Sequence, residues 1–158
     1  MRGMILYIMA LVLVAIFTVR VADAKLVACI GDSITYGSGI SDRANDSYPA
    51  QLGRMLWEFD PQWQTRNFGV SGATLLRNGD KPYVQQGAYN QALAAEPDVV
   101  IIKLGINDSK SWNWVHKDEY VSDYLFLSIA SSHCPALPTF GFVNRYQHSL
   151  AILALVTR

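Results

Sequence analysis

Three short segments carry the residue types that acyl transfer requires: Gly31-Asp32-Ser33-Ile34-Thr35, Ser71-Gly72-Ala73-Thr74 and Gly105-Ile106-Asn107-Asp108. Ser33 offers a nucleophilic hydroxyl, Gly72 a backbone N–H with no side chain in front of it, and Asn107 a side-chain amide donor. Attack of a hydroxyl on a carbonyl creates an oxyanion, and fixed N–H donors lower its energy; removing one costs roughly 3 to 4 kcal/mol of transition-state stabilisation in comparable sites. Each segment also has a plainer reading. Asp32 or Ser33 can cap a helix, Gly72 can serve a turn, and Asn107 can close an Asx-turn after a strand.

The elements around these segments decide whether they meet. Leu26-Val27-Ala28-Cys29-Ile30 is a continuous apolar run ending at Gly31, as expected of a strand covered on both faces. Ser47-Tyr48-Pro49 followed by Ala50, Leu52, Met55 and Leu56 gives an N-cap, an early proline and helical spacing, predicting a helix over 48–58. Residues 64–70 are the second strand candidate. Residues 83–95 predict a helix stopped before Pro97, and the β-branched run 98–104 predicts the third strand. Strand and helix alternate as in a parallel sheet with helices on both faces, where ligands bind beyond the carboxyl ends of the strands. All three segments follow predicted strands directly, so Ser33, Gly72 and Asn107 are expected at one edge.

Composition narrows the class. The 158 residues, about half of them hydrophobic, suit one core. Thirteen basic and thirteen acidic residues balance, with no basic run, which argues against nucleic acid as a partner. Cys29 and Cys134 have no metal-ligand spacing, and Cys29 reads as a small core residue. A basic start at Arg2, an apolar run from Met4 to Val19 and the Ala22-Asp23-Ala24 pattern read as an export signal cleaved after Ala24. A retained membrane anchor is the rival reading, and the membrane is a partner only in that case. Residues 1–24 are therefore assigned to the signal, 25–123 to the folded domain and 124–158 to a divergent tail, because no Asp or Glu occurs after Asp123. The mature chain has room for about four strands.

Taken in order, the three segments resemble the first three sequence blocks of the SGNH/GDSL hydrolase family, over about residues 26–123. The resemblance implies a flavodoxin-like α/β/α sandwich with a parallel sheet, truncated at the C-terminal end, and a serine esterase working without a metal or organic cofactor. It implies Ser33 as the nucleophile and, through its own N–H, the first oxyanion donor, with Gly72 and Asn107 completing the oxyanion hole. Asp32 and Asp108 match supporting positions that hold the loops. The stretch from Ile30 to Lys117 is most similar to members named sialate O-acetylesterase-like or acylhydrolase-like. That implies a small-molecule or glycan ester substrate, with O-acetyl or another short acyl group.

The sequence departs from the family at its last block, an Asp-x-x-His in which the histidine is the base and the aspartate orients it. The residues three before His116, His133 and His148 are Asn113, Ala130 and Arg145. The general base is thus unassigned, with His116 as a weak candidate. The C-terminal third is expected to have been lost or replaced, leaving an impaired esterase; the alternatives are a non-catalytic binding module and an inactive gene fragment. Trp112 and Trp114 could stack on a sugar ring, although core packing is the expectation for most of the four tryptophans. Asn45-Asp46-Ser47 and Asn107-Asp108-Ser109 match glycosylation sequons.

Overall fold

The computed structural model describes residues 24–131 and the two short strands Thr139–Gly141 and Leu153–Leu155. The export signal and most of the tail, with His133, Cys134 and His148, lie outside the described residues. Strand β1 (Lys25–Gly31) is the centre of a three-stranded sheet of order β2-β1-β3, in which β2 is Trp63–Gly69 and β3 is Val99–Lys103. Both pairings are parallel, with Gly31 opposite Gly69 on one side and Lys103 on the other. This order is the first half of the flavodoxin-like 2-1-3-4-5 arrangement. Strands β4 (Thr139–Gly141) and β5 (Leu153–Leu155) form a separate antiparallel pair.

Burial follows position in the sheet. Val27 to Gly31 of β1 are all buried, as for a central strand covered on both faces, whereas β2 alternates and keeps its polar residues toward solvent. Ala28, Ile30, Phe68, Val100, Ile102, Leu104, Tyr124 and Leu127 belong to one core cluster. Cys29 is fully buried, and burial lifts its thiol to about 11.

The helices are α1 (Ser33–Tyr36), α2 (Arg43–Asp46), α3 (Tyr48–Phe59), α4 (Gly87–Ala94), α5 (Ser111–Trp114) and α6 (Tyr120–Ser131). Helix α3 matches the expected 48–58. Ser47 sits at its N-cap position, but its side chain makes no cap hydrogen bond, and Met55 points to solvent. The single helix expected over 83–95 is instead two pieces. Residues Tyr83–Gln85 form a 3-10 turn, Gln86 is extended, and α4 starts only at Gly87. The break has a cause: the fully buried Tyr83 is fixed by its hydroxyl on the Phe68 carbonyl at 2.7 Å and by its N–H on the Thr74 carbonyl at 2.9 Å. Helix α6 runs without interruption through the composition change at Asp123, and Tyr124 and Leu127 beyond it enter the core.

Candidate active site

Parallel pairing with Gly31, Gly69 and Lys103 level puts the three following loops side by side at the carboxyl edge of the sheet. Ser33 comes two residues after β1, Gly72 three after β2, and Asn107 four after β3. The loops are bonded to one another. Val70 N–H donates to the Gly31 carbonyl at 2.8 Å, Asp32 N–H to the Lys103 carbonyl at 3.3 Å, and the hydroxyls of Ser38 and Ser71 are 2.6 Å apart. The backbone of Gly69 lies directly against that of Thr35 and Tyr36, a closeness that no Cβ at 69 would allow. Asn107 Nδ2 donates to the Ala73 carbonyl at 3.0 Å, joining the third loop to the second.

Burial separates these residues into two groups. Ser33, Gly72 and Asn107 are half-buried, while Asp32 and Asp108 are buried to about 1% and 0% exposure. Asp32 caps α1 by accepting the Ile34 N–H at 2.8 Å, as the helix-cap reading of this segment expects. The cap turns Ser33 into the first helical residue, and its N–H has no acceptor among the described residues. Asp108 accepts the N–H groups of Leu76 at 2.7 Å and Leu75 at 3.0 Å, fixing the chain beyond Gly72. Gly72 has φ +83°, a left-handed conformation that glycine adopts without strain, and its N–H too has no acceptor among the described residues.

The electrostatics fit the burial. Desolvation pushes the carboxyl of Asp32 above its ordinary value, opposed by the Ile34 N–H and by Lys103. Asp108 is raised by burial as well, opposed by the two backbone N–H groups, and the charge of Asp32 raises it further. The two carboxylates under the first and third loops therefore feel each other.

His116 is elsewhere in the connection, just past α5. Its Nδ1 is 3.5 Å from Glu119 Oε1 on the next 3-10 turn (Lys117–Glu119), and among the described residues no hydrogen bond joins it to Ser33. The expectation for the tryptophans is corrected. Trp57, Trp112 and Trp114, all on helices, are 59%, 61% and 43% exposed, and Trp63, the first residue of β2, is half-buried. The sequence reading missed Asn113, a buried residue with no apolar pattern to announce it. It accepts the Asp80 N–H at 2.8 Å and donates to Asp80 Oδ1 at 3.0 Å and to the Asn107 carbonyl at 2.8 Å. An open cavity of about 940 Å³, lined by Lys25, Trp63, Gln64 and Asp98 among others, lies at the opposite, amino-terminal edge of the sheet and touches none of Asp32, Ser33, Gly72, Asn107 and Asp108.

Several known proteins are similar to this chain. An acetylxylan esterase of Xylanibacter ruminicola is 54% identical over 101 residues, covering 64% of this chain and 20% of the relative, so the chain spans about one fifth of that protein's length. Similar solved structures include AlinE4, described as an SGNH-hydrolase family esterase, at 20% identity and TM-score 0.48 over 68% of this chain and 53% of that one. TesA is similar at 19% identity and TM-score 0.49, over 68% and 54%. A two-domain esterase active on acetylated mannans matches at 23% identity and TM-score 0.47, over 70% and 28%. The family model for GDSL-like lipases and acylhydrolases matches residues 29–149, well over half of the sequence and all three loops of the carboxyl edge, and the chain belongs to that family.

Proposed function

We propose that this chain carries the acyl-binding half of a serine ester hydrolase that removes acetyl or other short acyl groups from carbohydrate. The observation that carries the reading is the joining of the three loops at one sheet edge, with Ser33, Gly72 and Asn107 half-buried above two buried aspartates. The acetylxylan esterase relative supports acetylated glycan as the substrate class. In the proposed reaction Ser33 Oγ attacks the acyl carbonyl, and the N–H groups of Ser33 and Gly72 with Asn107 Nδ2 receive the oxyanion. Collapse breaks the ester C–O bond and expels the sugar oxygen as an alkoxide, which takes up a proton to become the free hydroxyl, and leaves an acyl-serine; water then attacks the acyl carbon, the bond to Ser33 Oγ breaks, and the acid and the serine hydroxyl are released.

Asn107 Nδ2 carries two hydrogens, so its bond to Ala73 leaves one for the oxyanion. Among the described residues no histidine is hydrogen-bonded to Ser33, so the reaction is written without an assigned base. A second reading is a glycan-binding module that keeps the edge without turnover. Acetate release from p-nitrophenyl acetate and from acetylated xylo-oligosaccharide, compared with Ser33→Ala, tests both. A rate that disappears with the serine supports hydrolysis, and equal rates reject it.

Export is proposed on the pattern at residues 2–24. N-terminal sequencing of secreted protein is expected to begin at Lys25; recovery of Met1 on membranes would reject cleavage.

A further inference from the structure

Trp112 is 61% exposed and yet held at two points, its indole N–H and its ring. Its Nε1–H donates to Asp80 Oδ2 at 2.9 Å, and the ammonium of Lys110 lies 5.7 Å from its ring centroid and 3.5 Å from the same carboxylate oxygen. Asp80 is held in turn by the buried Asn113, whose Nδ2 also reaches the Asn107 carbonyl at 2.8 Å. A chain of hydrogen bonds thus runs from an exposed indole to the backbone of the residue proposed to bind the oxyanion. These bonds restrict the ring before any ligand arrives, which removes an ordering cost from binding. An aromatic face presented this way is negative, and it attracts the weakly positive axial C–H groups of a pyranose. Trp114 differs: it packs edge-on against Tyr120, with ring centroids 6.1 Å apart.

We propose that Trp112 is a stacking platform for a pyranose ring of the glycan that carries the ester, held in place by Asp80 and Asn113. The proposal rests on the carbohydrate-ester reading given above. It names one binding residue and the two that position it.

The test is calorimetric titration of the 158-residue chain with xylotetraose and with mannotetraose, which carry no ester and so report binding apart from hydrolysis. At least one is expected to bind saturably. Trp112→Ala is expected to weaken that binding tenfold or more, Trp112→Tyr by about threefold or less, and Trp114→Ala by less than twofold. Asp80→Ala, which frees the indole without removing it, is expected to weaken it about threefold to tenfold and serves if Trp112→Ala does not fold. Binding of neither sugar, an unchanged Kd in Trp112→Ala, or an equal loss in Trp114→Ala overturns the platform. Failure of hydrolysis alone, with sugar binding lost in Trp112→Ala, rejects the esterase reading and leaves the platform standing.

Discussion

Asn107 and Ala73 are joined by a 3.0 Å hydrogen bond from side-chain amide to backbone carbonyl, and that bond crosses from the loop after β3 to the loop after β2. Ala73 follows Gly72 directly, so the amide that would serve the oxyanion is anchored one residue from the backbone N–H that would share the task. Using one amide hydrogen in this way fixes the direction of the other. Preorganised donors contribute because they need not reorient as charge develops.

Replacing Asn107 by Ala is therefore expected to remove both a donor and a tie. Ser33-dependent release of p-nitrophenol should fall by about a hundredfold or more, corresponding to roughly 3 kcal/mol. The lost tie should cost stability by only about 1 kcal/mol. Parallel measurement of rate and of urea denaturation separates the two; a rate loss no larger than the stability loss predicts would remove Asn107 from the oxyanion hole.

Asp108 is expected to matter for folding before chemistry. Its two carboxylate oxygens accept two buried backbone N–H groups, and Asp108→Ala strands both. Each buried unsatisfied donor costs about 1 to 3 kcal/mol, so the variant should lose roughly 2 to 6 kcal/mol in denaturant titration. Asp108→Asn keeps the shape but turns an NH₂ toward one of those donors, and should fall between Ala and the parent.

The same carboxylates set an unusual response to acid. Asp32 and Asp108 titrate above their ordinary value in the fold because burial disfavours their charge. The native state then binds more protons than the unfolded chain, so their part of the stability rises as pH falls from neutral toward 3.8, and is constant below that. Asp80 and Asp60 are held below the ordinary value, Asp80 first by Trp112 and then Asn113, Asp60 first by the Gln62 N–H and then Lys25. Their contribution is present above 3.8 and is lost as pH falls through their folded values. Melting temperature measured from pH 7 to 4 should accordingly rise less on acidification in Asp108→Asn than in the parent chain. A steeper rise in the variant contradicts this assignment.

Much of the fold could be read from the sequence because its strongest signals are local. The buried run 26–30 and the β-branched run 98–104 sit at the centre and flank of the sheet, where hydrophobicity is required on both faces. The motif glycines and Asn107 reach one edge for the same reason, since parallel strands aligned at Gly31, Gly69 and Lys103 leave their loops no other place. What escaped depends on distant contacts. The break at Gln86 comes from the Tyr83 hydroxyl finding the Phe68 carbonyl fifteen residues away, which no helical pattern encodes. Asn113 has no signature either, because its bonds to Asp80 and Asn107 exist only once the loops are folded. Core packing is the expectation for most of the tryptophans, yet Trp112 satisfies its N–H on an exposed carboxylate.

Gly72 is a sharper test of backbone than of side chain. Its φ of +83° strains any L-residue, while the space beside it is open, the nearest atom to an added Cβ being Lys81 Cδ at 3.6 Å. Gly72→Ala should thus cost about 1 to 2 kcal/mol from conformation alone. A D-alanine introduced there by semisynthesis, which prefers positive φ, should restore stability; failure to do so would point to a steric cause.

The last prediction concerns turnover by these 158 residues alone. An alcohol hydroxyl such as that of Ser33 is neutral at pH 7, and a serine esterase depends on a base to take its proton during attack. His116 is the histidine among the described residues, and it is paired with Glu119 at 3.5 Å on its own turn. Where a triad enzyme loses its base, the oxyanion hole and binding still leave about 10³ to 10⁴ over water, and the larger share disappears. Hydrolysis of p-nitrophenyl acetate by the purified chain should be slow, dependent on Ser33, and unchanged in His116→Ala. Appending a segment with Asp-x-x-His should raise the rate by orders of magnitude, and Ser33→Ala should abolish the gain. Ordinary enzymatic rates in the unmodified chain, lost in His116→Ala, would instead identify His116 as the base and require the loop that carries it to swing toward Ser33.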